Sequence, residues 1–119
     1  MKRWRLLFVS LYAIATPVWA HSTLDHSEPK DRAVLTQAPR EIRMWFTEPI
    51  KAKLSTVEVR DAAGKQVDQR NLSADEKDPA LVRLSLISEM LPGTYKVTWS
   101  AVAQDLHVSK GSFIFRVQP

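Results

Sequence analysis

The stretch TYKVTW, residues 94–99, alternates polar and apolar side chains and places Tyr95, Val97 and Trp99 on one face. A period of two residues is typical of a β-strand that buries one of its faces. The same alternation recurs in four stretches that begin at residues 41, 55, 81 and 112. Their apolar positions are Ile42, Met44, Phe46, Val57, Val59, Val82, Leu84, Leu86, Phe113, Phe115 and Val117. The pattern therefore predicts an all-β protein.

Turn-forming sequences separate these stretches at residues 61–65, 78–79 and 91–93. A shorter strand at residues 66–69 and an opening strand near residues 22–27 bring the expected number to seven. Seven short strands in a chain of this length are typical of an antiparallel immunoglobulin-like Greek-key sandwich or barrel. Only residues 73–77 have a composition that favours a helical turn.

The first twenty residues have the features of a secretory signal peptide. Three basic residues precede an apolar run over residues 6–15, and Val18-Trp19-Ala20 follows as a cleavage site. The run is shorter than the roughly 20 apolar residues of a membrane span. We therefore expect cleavage after Ala20, leaving one exported domain, residues 21–119, that does not span a membrane. An uncleaved N-terminal anchor is the alternative.

Charge and cysteine content exclude several function classes. The chain has 17 Lys and Arg against 13 Asp and Glu, a net charge of +4, and three of the positive residues lie in the leader. The expected mature domain therefore has a net charge of +1, with no basic stripe for nucleic acid. It contains no cysteine, which excludes disulfides, thiolate metal sites and cysteine nucleophiles.

A group of nitrogen and oxygen donors suggests a metal site. Cleavage after Ala20 would give His21 both a free α-amine and an imidazole, and both can be unprotonated near neutral pH. On a strand, Asp105 and His107 would point the same way. These donors suit the tetragonal preference of one Cu(II) ion, although zinc would accept them tetrahedrally. The alternative is a surface Asp–His pair without a role.

Five segments resemble those of the CopC-type copper-resistance family. They are HSTLDHSEP (21–29), MWFTEP (44–49), LPGTYKVTW (91–99), AVAQDLH (101–107) and GSFIFRV (111–117). The resemblance implies an immunoglobulin-like β-barrel in the periplasm and an inner-membrane partner of the CopD type. It also implies a Cu(II) site with His21, Asp105 and His107 as ligands. Glu48 matches a glutamate near the copper in some members; its alternative is a surface carboxylate at a strand end.

The sequence departs from the family pattern in three places. Val108 replaces the proline that usually follows the second ligand histidine, and Leu106 replaces a small or polar residue. Methionine-rich members carry a second site for Cu(I), an ion that selects soft thioether ligands. The expected mature domain has only Met44 and Met90, and Met44 falls on a core-facing position. We therefore expect no Cu(I) site.

The remaining histidine and the aromatic residues have simpler interpretations. In a regular opening strand His26 has opposite parity to His21, which favours a surface position over a ligand role. Most aromatic residues alternate into the core, which favours packing over a carbohydrate-binding platform. Trp45 points away from Met44 and Phe46 and should be exposed or at a sheet edge.

These observations favour an exported copper-binding protein, not an enzyme, that sequesters or delivers Cu(II) for copper resistance or homeostasis. Two alternatives remain open. One is a copper-dependent oxidative enzyme that uses an N-terminal histidine chelate. The other is a metal-free β-sandwich that binds other proteins.

Overall fold

A computed structural model describes residues 23–119; the predicted leader and His21 lie outside the described residues. The described part contains eight β-strands and one short 3-10 turn, Ala52–Leu54. The strands are β1 (Leu24–Glu28), β2 (Ala33–Leu35), β3 (Glu41–Phe46), β4 (Thr56–Asp61), β5 (Ser73–Ala74), β6 (Leu81–Ser85), β7 (Gly93–Val102) and β8 (Val108–Val117).

The strands form two four-stranded sheets with the orders β1-β3-β6-β5 and β2-β8-β7-β4. Every strand pair is antiparallel except β2–β8, which is parallel. In the immunoglobulin convention, β1, β3, β6 and β5 take the places of strands A, B, E and D. β4, β7 and β8 take those of C, F and G. The predicted immunoglobulin-like all-β sandwich is therefore confirmed.

The short elements of the fold differ from those that the sequence predicts, because their pairing depends on distant partners. The short β2 was not predicted; it pairs with the end of β8, from Ala33 opposite Phe115. Residues 66–69 form two isolated bridges in place of the expected strand. The helical turn expected over residues 73–77 was wrong, because Ser73 and Ala74 pair with β6 and form β5.

The inward faces of the two sheets form the core. The alternating apolar positions of β3, β4, β6, β7 and β8 are buried as predicted, except Trp99, which is only partly buried against the core. The ring of Tyr95 stacks on that of Phe115 at a centroid distance of 5.3 Å. Its hydroxyl donates a hydrogen bond to the carbonyl of Leu91. A tyrosine near the start of the F strand that bonds back to the chain just upstream is the tyrosine corner of immunoglobulin-like sandwiches.

Within residues 23–119, no helix is long and apolar enough to cross a membrane.

Candidate metal centre

Asp105 and His107 lie in the turn that joins β7 to β8, and not on the strand that their spacing predicts. Strand pairing ends at Val102 opposite Val108. The turn closes with hydrogen bonds from Leu106 N–H to the Ala103 carbonyl and from Ala103 N–H to the His107 carbonyl, both 2.9 Å. Leu106, at the tip, has a left-handed backbone with φ 70°. The expected strand geometry was therefore wrong, although the two side chains do lie together.

The two side chains are joined by direct hydrogen bonds. One oxygen of Asp105 accepts the main-chain N–H of His107 at 3.1 Å, and the other lies 2.7 Å from Nδ1 of its ring. These hydrogen bonds from His107 lower the pKa of the Asp105 carboxyl. An ionised carboxylate can only accept, so Nδ1 carries the proton. In the neutral ring, Nε2 is then the nitrogen that bears the lone pair, and a carboxylate on the other ring nitrogen is common among metal-binding histidines.

The start of the described chain is fixed against the residue that follows β3. The N–H of Thr23 donates to the hydroxyl oxygen of Thr47 at 3.0 Å. In return, the N–H of Thr47 donates to the carbonyl of Thr23 at 2.9 Å. Glu48 comes directly after Thr47 in the chain. Thr23 and Glu48 therefore lie at the same end of the sandwich.

The β7–β8 turn is attached to the same segment. The N–H of Gln104 donates to the carbonyl of Pro49 at 3.3 Å. Ile50 forms an isolated antiparallel bridge with Ala103. The segment of residues 47–50, called the connecting segment below, therefore contacts Thr23 at its first residue and the Asp105–His107 turn at its last two.

The carboxylates of Glu48 and Asp105 and the imidazole of His107 do not by themselves form a complete metal site. Within residues 23–119, no group of three His, Asp or Glu side chains is arranged to hold a metal ion. Glu48, Asp105 and His107 are thus brought to one end of the sandwich without converging on one point. His21, the remaining ligand predicted from the sequence, lies outside the described residues.

His26 has a separate environment on the outer face of the first sheet. Its ring stacks on the indole of Trp45 with a centroid distance of 4.4 Å and an interplanar angle of 10°. Its Nδ1 lies 2.7 Å from the carboxylate of Asp25. The predicted surface position of His26 is confirmed. The reason given for it, regular alternation along the opening strand, does not hold, because a register shift lies between Leu24 and His26. The stack itself was missed, since only the register of β1 against β3 brings the two rings together.

Neither described methionine is accessible to a metal from solvent. Met44 is 1% exposed and Met90 is 9% exposed, and both belong to the hydrophobic core. Their thioethers fill space between the sheets.

Comparison with known proteins identifies the family. The family model described as "CopC domain" matches residues 24–118. Protein YobA of Escherichia coli strain K12 is 28% identical over 116 residues, which cover 98% of this chain and 94% of that protein. Copper resistance protein C of Pseudomonas syringae pv. tomato is 28% identical over 123 residues, covering 96% of this chain and 97% of that protein.

A solved structure shows the same architecture. The crystal structure of PcoC, described as a methionine-rich copper resistance protein from Escherichia coli, superposes with a TM-score of 0.72 at 26% identity. The match covers 83% of this chain and 100% of the PcoC chain. With its immunoglobulin-like sandwich and a family match over nearly the whole described region, the chain belongs to the CopC family of copper-resistance proteins.

Proposed function

We propose that the chain is exported to the periplasm, is cut after Ala20, and then holds one Cu(II) ion at one end of the sandwich. The ligands are the α-amine and ring of His21, the ring of His107 and a carboxylate oxygen of Asp105. The observation that carries this proposal is the connecting segment. It contacts both Thr23, two positions after His21, and the turn that contains Asp105 and His107, which supports a ligand set at this end of the fold.

Covalent geometry limits how far His21 can be from this end. Two residues of extended chain span at most about 7 Å. Thr23 is held by Thr47, so the α-carbon of His21 lies within that distance of Thr23. Glu48 and the β7–β8 turn are attached to the same segment. The short link supports a site in which the chain terminus supplies two of the donors.

The donor set suits Cu(II). One amine, two imidazoles and one carboxylate give three nitrogens and one oxygen, which favour a tetragonal arrangement. The hydrogen bond from Nδ1 to Asp105 selects Nε2 of His107 as the metal-binding nitrogen. Each carboxylate oxygen has two lone-pair directions, so Asp105 can bind the ion through one oxygen while accepting a hydrogen bond. Glu48 is a weaker candidate, either as a further ligand or as a nearby negative charge.

The protein binds its metal in order to sequester or deliver it, and it is not an enzyme. The relatives named above include two copper resistance proteins, which supports copper as cargo to be sequestered or delivered. An inner-membrane protein of the CopD type is the proposed partner. A copper-dependent oxidase with an N-terminal histidine would produce hydrogen peroxide once its copper is reduced, and this protein should produce none.

The deciding experiment is a Cu(II) titration followed by electron paramagnetic resonance. A protein that begins at His21 is compared with one that carries a single additional N-terminal glycine. We expect tight one-to-one binding and a nitrogen-rich tetragonal spectrum only for the first, because the added residue turns the amine of His21 into an amide. Equal binding by both proteins would overturn the proposed ligand set. If copper leaves the melting temperature unchanged, the metal-free alternative is favoured, because a ligand specific to the native state must raise stability.

A further inference from the structure

We propose that Thr47 is a positioning residue for the copper site: its hydroxyl fixes Thr23 and thereby holds the N-terminal histidine near the β7–β8 turn. This inference rests on the proposed function, since it assumes that His21 is a ligand. Thr47 itself is not assigned as a ligand.

The two hydrogen bonds between Thr23 and Thr47 close the end of the β1–β3 ladder. Leu24 is the first β1 residue paired with β3, opposite Phe46. One position earlier, the N–H of Thr23 is bound by the Thr47 side chain and the Thr23 carbonyl by the Thr47 main chain. A side-chain oxygen thus provides the acceptor that fixes Thr23, the first described residue after His21.

Removing this acceptor leaves Thr23 held by one hydrogen bond in place of two, the one from the Thr47 main-chain N–H to the Thr23 carbonyl. With Thr23 held, the α-carbon of His21 is two peptide links away, a reach of at most about 7 Å. Whenever this remaining hydrogen bond opens, Leu24 becomes the first fixed residue, and three peptide links give a reach of about 10 Å and roughly three times the accessible volume. The amine and ring of His21 then have a lower effective concentration at the turn.

Only the hydroxyl is required, which makes the hypothesis specific to the residue type. Valine has the same branching but no hydroxyl, so Thr47→Val removes the acceptor. Thr47→Ser retains it and should retain the function. Thr98, an exposed residue on the outer face of β7, provides a matched control as Thr98→Val.

The test uses the domain beginning at His21, in the parent form and with each of the three substitutions. Two quantities are measured: the Cu(II) dissociation constant by competition with a chelator, and the hydrogen-exchange rate of the Thr23 amide without metal. Thr47→Val should weaken binding roughly two- to threefold, as expected from the larger volume accessible to His21. The paramagnetic resonance spectrum should stay the same, and the Thr23 amide should exchange faster. Thr47→Ser and Thr98→Val should match the parent.

Several results would overturn the proposal. An unchanged Cu(II) affinity in Thr47→Val would mean that fixing Thr23 does not contribute to binding. A changed spectrum would mean that Thr47 affects the ligand set directly. If Thr47→Val fails to fold, Thr23→Pro removes the same hydrogen bond from the donor side and should weaken binding equally. The glycine-extended protein separates the role of Thr47 from the proposed function. If it binds Cu(II) as tightly as the domain that begins at His21, His21 is rejected as a ligand whatever the effect of Thr47→Val.

Discussion

The indole of Trp99 lies directly over Gly111, its antiparallel partner on β8. A β-carbon added at Gly111 would come within 2.4 Å of the indole ring, closer than carbon atoms can approach. The indole also packs at 6.1 Å, centroid to centroid, on Phe113, which restricts its movement away from β8. The absence of a side chain at Gly111 is therefore what allows Trp99 to cover this part of the core.

Gly111→Ala should destabilise the domain by about 1–3 kcal/mol, because overpacking forces a side chain or the backbone to shift. The measurement is the urea unfolding midpoint of the metal-free protein. Ser112→Ala, at the neighbouring exposed position, is the control and should change stability by less than about 0.5 kcal/mol. Equal unfolding midpoints for the two variants would show that the Trp99 indole can move away from position 111 without loss of stability.

Tyr95→Phe should lower the free energy of unfolding by about 1 kcal/mol, as expected for one lost hydrogen bond. The substitution keeps the ring stacked on Phe115 and removes only the hydroxyl that bonds to the Leu91 carbonyl. Chemical denaturation measures the effect. An unchanged unfolding curve would mean that the tyrosine corner does not contribute to stability.

Leu106→Gly should stabilise the domain by about 0.5–1 kcal/mol. A left-handed conformation costs an L-residue roughly 1–2 kcal/mol, and glycine avoids this cost. The greater conformational entropy of glycine in the unfolded chain offsets part of the gain. Leu106 is 63% exposed, so little packing is lost. Leu54→Gly, at a similarly exposed leucine outside the left-handed region, should destabilise, and thermal unfolding compares the two. A lower melting temperature for Leu106→Gly would contradict this explanation.

His107→Ala should reduce Cu(II) affinity by at least about tenfold, since it removes an imidazole from the proposed ligand set. His26→Ala should leave the affinity unchanged, because the His26 ring contacts Trp45 and Asp25 on the outer face. Chelator competition at neutral pH measures both. A comparable loss in His26→Ala would reject the assigned ligands.

Asp75 should make stability depend on acid pH. Its carboxylate accepts the main-chain N–H groups of Asp78 and Lys77 and the guanidinium of Arg83. These interactions, that of Asp78 first, lower its pKa below the ordinary 3.8 despite the opposing effect of desolvation. Because the folded-state pKa is the lower one, the stabilisation is complete above the unfolded-state pKa and is lost as pH falls through the folded-state value.

Asp75→Asn imitates the protonated carboxyl and tests this expectation. The variant should be less stable than the parent at pH 6, and the difference should shrink as the pH is lowered below about 4. Unfolding midpoints over this pH range provide the measurement. A difference that stays constant with pH would exclude Asp75 as the titrating group.

The sequence predicts the long elements of this fold because burial of one face leaves a period of two in β3, β4, β6, β7 and β8. It does not predict β2 or β5, since three and two residues are too short for a pattern. Their pairing is set by distant partners, β8 and β6. Local composition at residues 73–77 favoured a turn, but tertiary contacts decided the conformation.

The candidate site was predictable only in part. The Asp–His spacing indicates that the two side chains lie together, but the structure attributes this to a turn with direct hydrogen bonds. The contact between Thr23 and Thr47 joins residues 24 apart in the chain, and nothing local marks either threonine. The role of His21 as a ligand stays a prediction.

β8 begins next to His107 and runs for ten residues to Val117, which at about 3.3 Å per residue is roughly 30 Å. There the N–H of Gln118 is bonded to the Leu35 carbonyl at 2.7 Å, so the chain beyond β8 emerges at the far end of the sandwich. A fluorophore or surface linker attached at Gln118 would therefore be remote from the proposed copper ligands. Protein immobilised in this way would present its amino-terminal end to the solution, where a copper donor or acceptor can approach without obstruction.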